Sequence, residues 1–145
     1  MKHLFIALTI SAASFFNTAK AKDPVTPPVL ESFRSTYTHA QEVHWSEIGT
    51  GFKATFKLDG EYATAYYLSD GNWIGTTKNI STSELSPKLR ANLKRELKEA
   101  WVSDLYVMST NEGEVYFATV ESADNKKVLK SNNGRKWDHY KSIKK

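Results

Sequence analysis

The sequence predicts an α+β fold built as a tandem repeat, each unit a helix followed by a four-stranded antiparallel sheet. Three observations carry this prediction. Two prolines, Pro27 and Pro87, open helical patterns sixty residues apart. Each pattern is followed by short runs of alternating apolar and polar residues, broken by turn residues. Each half then closes on a glycine turn that leads into a tryptophan: "SDGNW" at Ser69 to Trp73 and "SNNGRKW" at Ser131 to Trp137.

The first helix starts at Thr26-Pro27, a residue suited to the N-cap followed by one suited to the first helical position. Val29, Leu30, Phe33 and Tyr37 follow at helical spacing. Ser86-Pro87 opens the second helix in the same way, and Leu89, Leu93, Leu97, Ala100 and Trp101 continue it. The strands of the first half are "VHWSEI", "FKATFKL", "EYATAYYL" and "NWIGTT". Asp59-Gly60 is a two-residue hairpin signal between the second and third. The second half repeats the order with "LYVMST", "EVYFATVES", "KKVLKS" and "RKWDHY". Such short turns admit only antiparallel neighbours. Gly71 and Gly134 supply the positive φ of the last turn in each unit, and the tryptophan after it covers a sheet edge or the helix–sheet seam. A unit of about 60 residues is marginal alone, so the two must pack together or share one sheet.

The N-terminus has the three parts of a secretory signal peptide: basic Met1-Lys2-His3, an apolar run from Leu4 to Phe16, and an A-x-A site at Ala19-Lys20-Ala21. The expected domains are a signal peptide over 1–21 and a single domain over 22–145, with repeats over about 24–80 and 81–145. The apolar run is thirteen residues, too short to span a bilayer, and no second stretch of spanning length follows it. The expected location is therefore periplasmic or secreted. The sequence holds no cysteine, which excludes a disulfide framework, a thiol nucleophile and a thiolate metal site. The net charge is +4, and loss of Lys2 and Lys20 with the leader lowers it to +2. From Lys126 to Lys145 eight Lys and Arg face one acid, Asp138, a local balance of +7. Such a run is either a solvated terminal segment or a patch for an acidic partner.

The order of a proline-started helix, "VHW", "FKATFKLDG", "ATAYY" and "DGNW" resembles the PepSY-like, β-lactamase-inhibitor-like family of small exported bacterial proteins. The resemblance runs from about Pro24 to Tyr140. Trp45, Phe52, Ala54, Phe56, Asp59, Gly60, Tyr67, Gly71 and Trp73 carry it in the first half. It is looser in the second, where Leu105 or Val107 stands at the place of Trp45. The motifs are structural. They imply the fold, and the family name implies protein binding and inhibition of an enzyme.

No motif specifies a reaction. His39, His44 and His139 have no partner at metal-ligand or zincin spacing. Asp59 and Asp70 precede glycine and suit turns, and Glu96 and Glu99 lie on a charged helix face. No G-x-S-x-G and no phosphate-cradling glycine loop occurs. No enzyme activity, catalytic residue, metal or cofactor is expected. The leader directs the chain away from nucleic acid.

The outward face of the first sheet remains. With Phe52, Ala54 and Phe56 inward, Lys53 and Lys57 point away, and His44 opposes Trp45. The family resemblance places Ala63, Ala65 and Tyr67 inward, leaving Tyr62 and Tyr66 outward. Tyr62, Tyr66, Lys53, Lys57 and His44 are the candidate partner contacts. Lys126, Lys127, Lys130, Arg135, Lys136 and Lys141 form a candidate basic patch. The expected function is an exported non-enzymatic module that binds another exported protein and inhibits it if that protein is an enzyme. The alternative is a binder of a small ligand or an anionic envelope surface, through the groove between units or the basic C-terminus.

Overall fold

The computed structural model describes residues 25–144. The expected leader over 1–21 and its expected cleavage site lie outside the described residues. Helix α1 (Pro27–Thr36) is followed by strands β1 (Gln41–Ile48), β2 (Gly51–Leu58), β3 (Glu61–Leu68) and β4 (Trp73–Asn79). A short 3-10 turn (Thr82–Glu84) leads to helix α2 (Pro87–Leu97) and strands β5 (Trp101–Thr110), β6 (Gly113–Glu121), β7 (Lys126–Ser131) and β8 (Asp138–Ile143). All eight strands form one sheet in sequence order, each antiparallel to the next.

Alternation decides which side chains meet the helices. Val29 and Phe33, one turn apart on α1, are buried with Phe52, Ala54, Phe56, Ala65 and Tyr67. Leu89 and Leu93 on α2 are buried with Leu105, Ala118, Val120 and Leu129. The register across the β4–β5 join puts both clusters on one side of the sheet. Lys78 lies opposite Ala63 on one flank and opposite the buried Val107 on the other. Ala63 packs on the first cluster, and Val107 shares its face with Leu105 of the second. Among the described residues, no helix lies on the other face of the sheet.

The two N-cap hydroxyls do the same thing. Thr26 Oγ1 donates to the carbonyl of Ser69 at 2.8 Å, and Ser86 Oγ donates to the carbonyl of Gly134 at 2.8 Å. Each helix start is thus tied to the turn before the tryptophan of its own half. Ser86 also accepts from Leu89 N–H, at 3.2 Å, as an N-cap should. Thr26 makes no such bond within its helix, and among the described residues its hydroxyl bonds only the turn. Gly71 has φ +92° and a β-carbon there would lie 2.8 Å from the carbonyl oxygen of Pro28. Gly134, at φ +63°, has more room, the nearest atom to such a carbon being in the Tyr116 ring at 3.8 Å. Both tryptophans reach the helix–sheet seam. Trp137 Nε1 donates to the carbonyl of Leu89 at 3.0 Å, and Trp73 Nε1 to Thr76 Oγ1 at 2.9 Å.

Three expectations need correction. Ala100 and Trp101 do not continue α2: the helix ends at Leu97, and Lys98 takes φ +43°, which turns the chain out of the helix. Trp101 instead opens β5 opposite Glu121 and is 51% exposed. The first and fifth strands begin earlier than their alternation predicts, at Gln41 and Trp101. Trp137 precedes β8, which starts at Asp138.

Candidate binding face

On the open side of β2 and β3, Lys53 lies opposite Tyr66, Thr55 opposite Thr64 and Lys57 opposite Tyr62. His44 of β1 lies opposite Thr55. The five residues expected as partner contacts therefore share the helix-free face. Tyr62 is 58% exposed, whereas Tyr67, five residues further along β3 and on the opposite face, is 1% exposed in the core.

Two of the five are already engaged. The Tyr62 hydroxyl donates to Glu42 Oε2 at 2.6 Å, and Lys57 Nζ lies 3.6 Å from Glu42 Oε1. The same ammonium sits 5.7 Å from the centre of the Tyr62 ring. The Tyr62 hydrogen bond, then the Lys57 charge, hold the Glu42 carboxyl below its ordinary range. Glu42 reaches this position through a register break in β1, with φ +51° at Glu42 itself. Its part in the face was not readable from alternation, because a bulge interrupts the alternation there.

The second half contributes a larger aromatic surface. Tyr106 and Phe117, with ring centres 5.0 Å apart and planes at 14°, stack on the open face. Tyr140 meets Phe117 edge-on at 5.6 Å. Lys130 Nζ lies 5.9 Å from the Phe117 ring centre and 5.7 Å from that of Tyr140. Burial, then the charge of Asp104, raises the Tyr106 phenol above its ordinary range. Tyr106 stands on β5, opposite Asn79 of β4, where the two halves of the sheet join.

A groove of about 410 Å³ lies at that join, lined by Tyr66 and Thr77 from the first half and by Tyr106, Met108, Phe117 and Tyr140 from the second. Gly75 makes room for Met108. A β-carbon on Gly75 would fall 2.6 Å from Met108 Cε, so the methionine side chain occupies the space that a larger residue would take. Tyr106, Met108 and Phe117 were not foreseen as site residues. The alternation in "LYVMST" and "EVYFATVES" marks them as facing away from Leu105, Val107, Ala118 and Val120, and that signal is available in the sequence.

The basic run divides over both faces. Lys141 lines the groove, and Lys126 lines a neighbouring concavity of about 360 Å³ on the open side while pairing with Glu121 at 3.5 Å. Lys127 turns to the helix side and bonds Glu96 of α2 at 2.9 Å. Lys136 pairs with Asp138 at 3.0 Å, and the carbonyl of Arg135 accepts from Asn92 of α2 at 2.7 Å. Among the described residues no three histidine or carboxylate side chains gather as metal ligands. No helix among them is long and apolar enough to cross a membrane.

No protein-family model matches the sequence, and no curated protein matches it. Solved structures do. A BLIP-like protein from Bacteroides fragilis has a TM-score of 0.74 at 19% identity, covering 86% of this chain and 91% of its own. A protein from Bacteroides eggerthii, provisionally described as periplasmic, has a TM-score of 0.75 at 14% identity, covering 83% of this chain and 90% of its own. A DUF2874 family protein from Bacteroides ovatus has a TM-score of 0.72 at 19% identity, covering 85% of this chain and 89% of its own. At these identities the likeness is one of fold: the chain has the α+β fold of the BLIP-like structures, one eight-stranded antiparallel sheet with two helices.

Proposed function

We propose that this chain is an exported, non-enzymatic binding module that holds another exported protein against the open face of its sheet. The observation that carries this reading is the helix-free face itself, where Tyr62, Tyr66, Tyr106 and Tyr140 stand among Lys53, Lys57, Lys130 and Lys141. Tyrosine surrounded by lysine suits a binding surface, because it adds apolar area with a polar tip. The BLIP-like likeness supports protein binding, and inhibition follows where the bound protein is an enzyme and the face covers its site. Export rests on the leader over 1–21 and the A-x-A site, and the periplasmic description of one structural neighbour agrees with it. The mature chain over 22–145 is read as one PepSY-like domain of two repeats, each tying its N-cap hydroxyl to its own last turn.

A second reading is favoured by Lys126, Lys130 and Lys141, which share one end of the open face. There the ligand is a small anion or an anionic envelope surface.

Affinity capture with the mature chain from the native periplasm or medium separates the two. The first reading expects one protein at near-stoichiometric yield, with binding weakened by more than about 2 kcal/mol in the Tyr62→Ala/Tyr66→Ala double variant. Retention on envelope fractions that is lost in high salt supports the second. Turnover of a hydrolase substrate panel by the pure chain overturns both.

A further inference from the structure

The lysines of the basic C-terminal run differ in one respect. Lys126, Lys127 and Lys136 each have a carboxylate of this chain within 4.0 Å, as Lys57 does on the open face. Among the described residues, Lys130 and Lys141 have none, and both border the groove at the β4–β5 join or its aromatic wall. Asp138 lies opposite Lys130 in the register, but Lys136 holds its carboxylate at 3.0 Å. Lys130 Nζ lies over two aromatic rings, with no carboxylate among the described residues within 4.0 Å of it.

The groove between these lysines and Tyr66 is lined in part by Met108, a flexible side chain that adapts to what is laid on it. Its volume of about 410 Å³ falls in the range of sites that bury a ligand-sized group, roughly 300–1,000 Å³. Asp104 lines the neighbouring concavity, close enough to act on Tyr106. It disfavours a second carboxylate at that end and so sets the direction in which a charged ligand lies.

We infer that this groove receives an acidic segment of the partner protein, with its carboxylates on Lys130 and Lys141 and an adjoining apolar side chain over Met108 between Tyr66 and Tyr106. The inference rests on the protein-binding reading above and assigns the partner's chemistry. A peptide fits better than an anionic surface, because a concave groove walled by Tyr66, Tyr106 and Tyr140 admits a protruding side chain, which a flat layer of headgroups does not present.

The test is selection of short random peptides displayed on phage against the mature chain, followed by titration of the enriched peptides as free synthetic peptides. Melting temperatures are measured alongside for every variant. The expected result is enrichment of Asp or Glu within two residues of Leu, Phe or Trp. Affinity should fall about tenfold or more in Lys130→Gln/Lys141→Gln, and comparably in Tyr140→Ala, with the melting temperature kept. Lys127→Gln, on the helix side, should leave affinity unchanged. Neutral or basic enriched peptides overturn the inference, as does affinity indifferent to Lys130 and Lys141, or the absence of any enrichment. Binding to phosphatidylglycerol vesicles with the same lysine dependence overturns it in favour of an anionic surface. A captured protein partner that is lost with Tyr62→Ala/Tyr66→Ala but kept with Lys130→Gln/Lys141→Gln leaves the protein-binding reading standing and removes only the acidic segment.

Discussion

Gly71 sits against the first turn of α1 so closely that a β-carbon on it would lie 2.8 Å from the Pro28 carbonyl oxygen. The chain needs glycine here twice over, for φ +92° and for the approach of the last hairpin turn of the first half to the helix. Gly60 has a similar φ, +89°, but open space around the missing side chain.

Gly71→Ala should therefore destabilise the fold by about 3 kcal/mol or more, the strain of a left-handed alanine plus a backbone clash. Gly60→Ala should cost only the strain, about 1 kcal/mol. Urea unfolding of the two variants checks the difference. Equal losses would show that the turn moves off α1 without cost.

Tyr67 carries a buried hydroxyl without a hydrogen-bond partner among the described residues, at 1% exposure. Tyr67→Phe removes that polar atom and keeps the ring, so stability should hold or rise by about 1 kcal/mol. Tyr67→Ala removes the ring from its contacts with Phe33 and Trp45 and should cost roughly 3 kcal/mol or more. Burial also pushes the Tyr67 phenol well above its ordinary pKa of 10.0. Above that value the unfolded chain releases this proton and the folded chain keeps it, so unfolding gains as pH rises. Stability should be fully present below about pH 10 and fall above it, more steeply in the natural protein than in Tyr67→Phe. Thermal melts of both proteins across that pH provide the measurement, and parallel curves would contradict the assignment.

The helix–turn ties make a third prediction. Ser86→Ala loses both the bond to Gly134 and the cap on Leu89 N–H, and should cost about 1–2 kcal/mol. Thr26→Ala loses only the bond to Ser69 and should cost about 1 kcal/mol. Equilibrium unfolding orders the two. A larger loss at Thr26 would mean that its hydroxyl caps α1 in solution.

Much of this was legible in the sequence, and the reason differs by element. The alternation in "FKATFKL" places Lys53 and Lys57 on one face and Phe52, Ala54 and Phe56 on the other, because period two leaves no freedom once one face is buried. Asp59-Gly60 names its own turn, and both residues have positive φ, +51° and +89°. The end of α2 was not legible: Leu97, Ala100 and Trp101 keep helical spacing, and only the left-handed backbone at Lys98 breaks it. The groove was hidden for another reason. Tyr66, Tyr106, Phe117 and Tyr140 come from four strands, and their meeting depends on the lateral register of the sheet and on the break between Val128 and Leu129. Local pattern carries facing within a strand, but the alignment of β4 on β5 comes from packing across the whole core.

If the partner lies on the open face, site-specific photo-crosslinking in the native compartment will trap it there. A photoreactive amino acid in place of Tyr66 or Tyr140 probes the open face, and one in place of Arg34 or Lys94 probes the helices. One discrete protein adduct, of the same mass from both open-face positions, is expected, and none from the helix positions. An adduct from Arg34 or Lys94 with none from Tyr66 or Tyr140 would contradict it.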